Sequence, residues 1–147
     1  MPLAASIVSL IQAVNSAEDA ATKRYCRRVL HLVVRETRTP VYVSNRAQRL
    51  ATKMGLGDLR NYGWYQQRTK MQDPERKLFA WEHVVTVKDL TEQLLALKDP
   101  TPHRARRILR QARVAWILRS ENERLNELGF RQSRPRDAYE RANIKLL

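Results

Sequence analysis

The stretch Phe79-Ala80-Trp81-Glu82-His83-Val84-Val85 is the part of the sequence that decides the fold. Aromatic and β-branched residues surround one polar pair, a composition typical of a β-strand. Residues 113–118 have the same character, and the capping signal Ser120-Glu121-Asn122-Glu123 indicates that a helix follows directly. The sequence therefore predicts two strands and a helix, a small ββα-type element.

The remainder of the chain has mainly helical patterns. Apolar residues recur every three or four positions from Leu3 to Val14 and from Ala17 to about Arg35, and Ser44 is placed to cap a third helix. The inward face of the second helix is predicted to consist of Tyr25, Val29, Leu32 and Val33. Further helices are predicted over 88–97 and 103–112. The predicted fold class is α+β, mainly α, with a helical N-terminal half followed by the ββα-type element and basic helices.

The chain has 147 residues, a length that suits one compact domain. We predict a single domain over 1–147 with three parts: a helical part (1–77), a ββα-metal element (78–130) and a basic C-terminal tail (131–147). No apolar run is long enough to span a membrane, and the apolar N-terminal stretch lacks the basic region of a secretion signal. One cysteine, Cys26, allows no intramolecular disulfide. We therefore expect a cytoplasmic protein, and the sequence is compatible with a homo-oligomer.

The charge of the chain points to a partner. Lysine and arginine total 28 against 15 acidic residues, a formal net charge of +13. Such a field concentrates phosphates, and arginine favours bidentate contacts with phosphate and guanine. We therefore predict a nucleic-acid partner, DNA rather than RNA, while a basic RNA- or ribosome-associated protein is an alternative. The expected contact residues are Arg104, Arg106, Arg107, Arg110, Arg113, Arg60 and Arg68.

The string Trp81-Glu82-His83-Val84-Val85 resembles the first strand of the ββα-metal, or HNH-like, nucleases, and endonuclease I-type proteins have a similar stretch. The resemblance implies that His83 is the general base for a water molecule and that Glu82 is a metal ligand. A second ligand would come from the start of the following helix, either Asn122 or Glu121. Oxygen ligands of this kind suit Mg²⁺. We therefore favour an enzyme, a metal-dependent endonuclease that hydrolyses DNA phosphodiester bonds.

The resemblance covers residues 79 to about 128, and its specific core is only five residues long. Thr86 stands where the family has a proline after the two valines, and the basic helix over 103–112 is inserted between the strands. No second histidine lies on the last helix, and no cysteine pairs brace the site. A structural interpretation is therefore the alternative, with His83 as a strand histidine and the two helix residues as ordinary members of a first turn.

A rival functional interpretation comes from residues 46–68. Gln48 to Leu56 resembles the first helix and turn of a helix-turn-helix, because the small Ala51 admits a neighbouring helix and Gly55 makes the turn. The second helix would run from Asp58 to Gln67 and expose its arginine and amide side chains to a groove. This pattern predicts a non-enzymatic DNA-binding regulator. The two interpretations are compatible, since a nuclease can carry its own recognition helix.

Overall fold

The computed structural model describes residues 2–37 and 39–147. Within these ranges the chain forms seven helices and three strands, which confirms the predicted α+β, mainly α, class. In chain order they are α1 (Pro2–Ser16), α2 (Ala20–Arg35), β1 (Val41–Val43), α3 (Asn45–Lys53), β2 (Phe79–His83), α4 (Val87–Leu95), α5 (Pro102–Leu109), β3 (Val114–Leu118), α6 (Arg119–Glu127) and α7 (Ala138–Arg141).

Two compact units make up the chain, each from two segments of sequence. The helical unit comprises Met1–Thr39 and Val85–Ala112, and the sheet unit comprises Pro40–Val84 and Arg113–Leu147. Helices α4 and α5 are therefore an insertion, in sequence, between β2 and β3. The boundaries of the predicted parts, after residues 77 and 130, do not coincide with those of the units.

The helical unit consists of α1, α2, α4 and α5 around one apolar core. Ile7 and Ile11 of α1 are fully buried, and their spacing of four places both on one face of the helix. The inward face predicted for α2 is wrong in part, because Leu30 and Val34 are buried whereas Tyr25 and Leu32 are exposed. Apolar residues occupy several faces of α2, so the spacing alone was compatible with more than one inward face.

The sheet unit contains a three-stranded sheet in the order β1-β3-β2. Strand β2 pairs antiparallel with β3, with Phe79 opposite Leu118 and His83 opposite Val114. Strand β1 pairs parallel with β3, with Val41 opposite Val114. Helix α6 begins directly after β3, so β2, β3 and α6 form the ββα order expected from the sequence. The sheet has one strand more than predicted, because residues 41–43 also pair with β3.

Each face of this sheet is covered by a separate apolar core. On one face Phe79 and Trp116 pack with α3 and the segment that follows it. On the other face Ala80 and Ala115 pack with Leu125 of α6 and the C-terminal residues. Since side chains of a strand alternate between its faces, these cores fix the direction of every side chain in β2.

The segment between α3 and β2 differs from the helix-turn-helix prediction. The first helix is present as α3, and Gly55 follows it at a positive φ of 76°. The second helix, predicted over Asp58–Gln67, is not formed; two 3₁₀ turns, Leu59–Asn61 and Trp64–Gln66, stand in its place. Gly63 lies between the turns in an extended conformation, which ends any helix there.

In the described part of the chain, no helix is long and apolar enough to cross a membrane.

Candidate functional site

Glu82 and His83, the core of the nuclease resemblance, lie at the end of β2. Because β2 is regular through His83, the alternation of its side chains directs Glu82 to the face covered by α6 and His83 to the opposite face. Both residues are half-buried. The strand end does not bend in the way that would turn both side chains toward one metal ion.

The carboxylate of Glu82 is held by an arginine that the sequence did not single out. Arg134 donates from Nη2 to Oε2 of Glu82 at 2.6 Å, and its side chain is only 4% exposed. The same guanidinium donates from Nη1 to the carbonyl of His83 and from Nε to the carbonyl of Phe130 at 2.8 Å. Arg134 therefore ties the C-terminal segment to the end of β2.

Glu121, a predicted metal ligand, is buried in the first turn of α6. Its Oε2 accepts hydrogen bonds from the hydroxyl of Ser44 at 2.6 Å and from the backbone N–H of Leu118 at 2.8 Å. The second bond corrects the predicted cap, because α6 begins two residues earlier than expected and Glu121, not Glu123, reaches back to its start. Its other oxygen, Oε1, is buried and has no hydrogen-bond partner among the residues described. Asn122, the alternative ligand, is half-buried beside it.

Tyr139 joins these groups on the same face of the sheet. Burial raises the pKa of Tyr139, the charge of Arg134 lowers it, and the charges of Glu82 and Glu121 raise it further. The net effect is an increase, so the phenol stays protonated at any physiological pH. Its hydroxyl oxygen is buried and, within the described part of the chain, has no hydrogen-bond partner. The charges of Glu82, Glu121 and Arg134 thus act on one buried phenol, and we call these four residues the Tyr139 cluster.

His83 and Glu121 are not brought together. Glu121 reaches the end of β3 at Leu118, and Leu118 is opposite Phe79, four residues from His83 along β2. Four strand residues span roughly 13 Å, and the two side chains also belong to opposite faces. No group of three or more His, Cys, Asp or Glu side chains that could hold a metal ion occurs within residues 2–37 and 39–147. The predicted general base and metal ligands therefore stay predictions.

The predicted phosphate-binding arginines occupy different surroundings. Helix α5 ends at Leu109 instead of Ala112, so it carries Arg104, Arg106 and Arg107, with Arg110 as its C-cap. Arg104 is paired with Asp99 at 3.0 Å and, with Arg107, lines a hollow of about 320 Å³. The Nε of Arg106 is buried. Arg113 belongs to the sheet unit and lies over the ring of Tyr42.

The other two predicted contact residues, Arg60 and Arg68, lie in the segment between α3 and β2. Arg60 donates to both oxygens of Asp58, with the shorter contact at 2.7 Å. Arg68 donates from Nε to the carbonyl of Pro74 at 3.1 Å. Both side chains are exposed, but neither lies on an α-helix that could enter a major groove.

A basic groove between α2 and α4 was not predicted. It has a volume of about 380 Å³ and is lined by Arg24, Arg27, Arg28, His31, Lys88, Thr91 and Glu92. The four residues from α2 are spaced by three or four, so they share one face of that helix. Arg27 is paired with Glu92 across the groove. In the part of the chain that the structure describes, no carboxylate is within ion-pair distance of Arg24, Arg28 or Lys88.

His31 makes the charge of this groove dependent on pH. Burial, followed by the positive charges of Arg35 and Arg27, lowers the pKa of His31 below its usual 6.5. The imidazole is therefore neutral at pH 7 and gains a proton only in acid. The spacing of the cations on α2 was visible in the sequence, but the facing side chains of α4 depend on a contact that the sequence does not reveal.

No family model, curated protein or solved structure matches this chain.

Proposed function

We propose that this chain is a nucleic-acid-binding protein, with DNA as its expected partner, and that the groove between α2 and α4 contacts the phosphate backbone. The observation that carries the proposal is the set of three cations on the walls of one groove, Arg24, Arg28 and Lys88, which have no carboxylate partner among residues 2–37 and 39–147. Cations that are not neutralised by carboxylates remain available to phosphates, and each such contact releases condensed counterions. The net charge of +13 adds long-range attraction to the same partner.

The groove supports this proposal better than the arginines of α5 do. Arg104 of α5 is already paired with Asp99, and the Nε of Arg106 is buried. Of the groove cations, Arg27 alone has a carboxylate partner within the described ranges, and both members of that pair are about half exposed. The helix-turn-helix does not support the proposal, because its second helix is not formed. A cytoplasmic location and a homo-oligomer stay predictions.

The test compares two double substitutions that remove the same charge from different surfaces. Arg24→Gln with Arg28→Gln removes two cations of the groove, whereas Arg46→Gln with Arg49→Gln removes two exposed cations of α3. Each lost phosphate contact should reduce the slope of log affinity against log salt by about 1. We expect the groove variant to lose about 2 from this slope and the α3 variant to lose much less. Equal losses, or no DNA binding by the wild type, would contradict the proposal.

A metal-dependent endonuclease is the second candidate, favoured by the Tyr139 cluster in a ββα arrangement. Glu82 and Glu121 come from β2 and from the start of α6, as the resemblance implies, and the Oε1 of Glu121 has no partner among the residues described. Of the predicted ligands, Glu121 keeps one carboxylate oxygen without a partner among the residues described, whereas Glu82 is paired with Arg134. Glu121 is buried and belongs to the sheet face opposite that of His83, so an ion held by Glu121 would not adjoin the predicted general base. The ion would supply Lewis-acid stabilisation of the leaving oxygen.

The test of this candidate is incubation of the protein with plasmid DNA and Mg²⁺ or Mn²⁺. If His83 is the general base, His83→Ala should reduce cleavage on the order of a hundred- to ten-thousand-fold while leaving DNA affinity intact. A wild type that never cuts, or a folded His83→Ala protein that cuts at the wild-type rate, would contradict the nuclease proposal. The proposal of a DNA-binding protein would be unaffected.

A further inference from the structure

The segment between α3 and β2 presents two aromatic rings to solvent. Tyr65 is 76% exposed and Trp64 is 49% exposed, although both side chains are large and apolar. They occupy one 3₁₀ turn, Trp64–Gln66. Adjacent exposed aromatic side chains usually mark a surface that a partner covers.

Each ring lies close to one neighbouring residue. The guanidinium of Arg76 lies over the ring of Trp64 at 3.9 Å. The ring of Tyr65 lies so close to Gly63 that a Cβ at that position would be 2.8 Å from Cε1. Gly63 also donates its N–H to Oε1 of Gln66 at 2.7 Å, which closes the turn. The absence of a side chain at residue 63 is thus what allows Tyr65 to lie there.

The base of this segment is fixed by a buried hydrogen-bond network. Gln67 donates from Nε2 to Oδ2 of Asp73 at 2.8 Å and to the carbonyl of Phe79 at 2.7 Å. Asp73 in turn accepts hydrogen bonds from the backbone N–H groups of residues 77–79. A backbone segment that is fixed before binding loses little conformational entropy when a partner stacks on the rings that it carries.

The charges around the rings indicate the chemistry of the partner. In the described part of the chain, Arg68 and Lys70 have no carboxylate within ion-pair distance. Arg60 is paired with Asp58 and is therefore not counted among the available cations. Aromatic rings beside cations are the combination by which proteins bind unpaired nucleotides, with bases stacked on the rings and phosphates near the cations. A duplex hides the faces of its bases, so only an unpaired strand can use such rings.

From these observations we infer that Trp64 and Tyr65 form a stacking platform for unpaired bases, so that the nucleic acid bound by this protein includes a single-stranded part. The inference rests on the proposed nucleic-acid binding and adds the class of partner. It requires no contact between the two units, because the platform lies wholly in the sheet unit.

The experiment measures the affinity of the full chain for a labelled oligothymidylate of about 15 nucleotides and for a duplex of the same length. The measured quantity is the ratio of the two affinities. Tyr65→Ala should reduce this ratio about five- to hundredfold, the usual loss of one stacked base, whereas Tyr65→Phe should preserve it. Gly63→Ala should also reduce it, because the added methyl group displaces the exposed ring. Tyr25→Ala, at an equally exposed tyrosine of α2, is the matched control and should leave the ratio unchanged.

Tryptophan fluorescence provides a second readout. Trp64 is the exposed indole, Trp116 is buried and Trp81 is half-buried, so quenching by the oligothymidylate should disappear in Trp64→Phe. If the protein binds DNA but the affinity ratio is the same in wild type and Tyr65→Ala, the stacking platform is contradicted and the proposal of a phosphate-binding groove is unaffected. This result would also follow if the rings bind another protein. Failure to bind either DNA overturns both proposals.

Discussion

Arg134 donates a hydrogen bond to Glu82 at 2.6 Å across 52 residues of sequence, with the arginine side chain almost fully buried. Glu82, which the nuclease resemblance implies to be a metal ligand, is therefore already neutralised by the guanidinium of Arg134. The guanidinium also binds the carbonyl groups of His83 and Phe130, so a single side chain uses three acceptors on two different segments.

This relationship gives the first prediction. Arg134→Ala should lower the free energy of unfolding by about 3–5 kcal/mol, because it leaves the carboxylate of Glu82 and two carbonyl groups without their donor. Glu82→Gln should cost less, since the amide oxygen still accepts from Arg134. Urea unfolding of both variants measures the difference. Arg136→Ala, an exposed arginine of the same segment, is the control and should change stability little. An equally small effect of Arg134→Ala would show that this arginine does not hold the C-terminal segment.

The sequence predicted those elements whose signals are local. Strands β2 and β3 were visible from their aromatic and β-branched residues, and α3 from the cap Ser44, whose hydroxyl accepts from the N–H of Ala47 at 3.0 Å. The pairing of β1 with β3 was not visible, because Val41 and Val114 are far apart in the chain. A strand of only three residues also contains no signal that indicates which strand it pairs with.

The same distinction between local signals and long-range contacts applies to the candidate sites. The string around His83 could be recognised because its residues are contiguous. The role of each residue, however, depends on which side chains face it in the folded chain. Arg134, which pairs with Glu82, lies in the C-terminal segment, and nothing in the sequence distinguished it from the other arginines of that segment. The groove combines a visible face of α2 with a face of α4 whose proximity only the fold determines.

The second prediction concerns pH and the groove. His31 has a folded pKa below its unfolded value of 6.5, so its contribution to stability is complete above pH 6.5 and is lost as the pH falls through the folded pKa. Protonation also adds a positive charge beside Arg24, Arg27, Arg28 and Lys88, with Glu92 as the acidic residue lining the groove. We therefore expect DNA affinity to rise as the pH falls below 6.5.

His31→Gln should remove this increase and leave affinity at pH 7.5 nearly unchanged, because the native imidazole is neutral there. Fluorescence anisotropy at constant ionic strength, from pH 7.5 to 5.5, provides the measurement. His103→Gln, at an exposed histidine of α5, serves as the control. A pH dependence that survives in His31→Gln would assign the titration to another group.

The third prediction concerns Asp73, which is 3% exposed. Burial alone would raise the pKa of Asp73, but hydrogen bonds from the N–H of Phe79, from Gln67 and from the N–H groups of Leu78 and Lys77 lower it below 3.8 overall. A carboxylate with a depressed pKa stabilises the fold above its unfolded pKa, and this stability is lost as the pH falls through the folded value.

Asp73→Asn should therefore lower the free energy of unfolding by about 2–4 kcal/mol at pH 7 and by less at pH 3, because several charge-assisted bonds are weakened together. Urea unfolding at both pH values would measure this. If the network supports Trp64 and Tyr65, the affinity ratio of single-stranded to duplex DNA should fall in the same variant. A loss of stability that is identical at the two pH values would contradict a role for the charge of Asp73.

The last prediction concerns the hydroxyl of Tyr139, which is buried without a hydrogen-bond partner in the described part of the chain. Burial of an unsatisfied polar group costs about 1–3 kcal/mol, so Tyr139→Phe should raise the free energy of unfolding by about 1 kcal/mol. Tyr42→Phe, at a half-buried tyrosine that packs against the same core, is the matched control and should not stabilise the protein. The phenol lies within the electrostatic reach of Glu82, Glu121 and Arg134, so a nuclease that uses this cluster should lose activity in the variant that gains stability. Thermal unfolding and plasmid cleavage, measured on the same preparations, separate these effects. Destabilisation by Tyr139→Phe would mean that the hydroxyl makes a favourable interaction in the folded protein and would contradict the prediction.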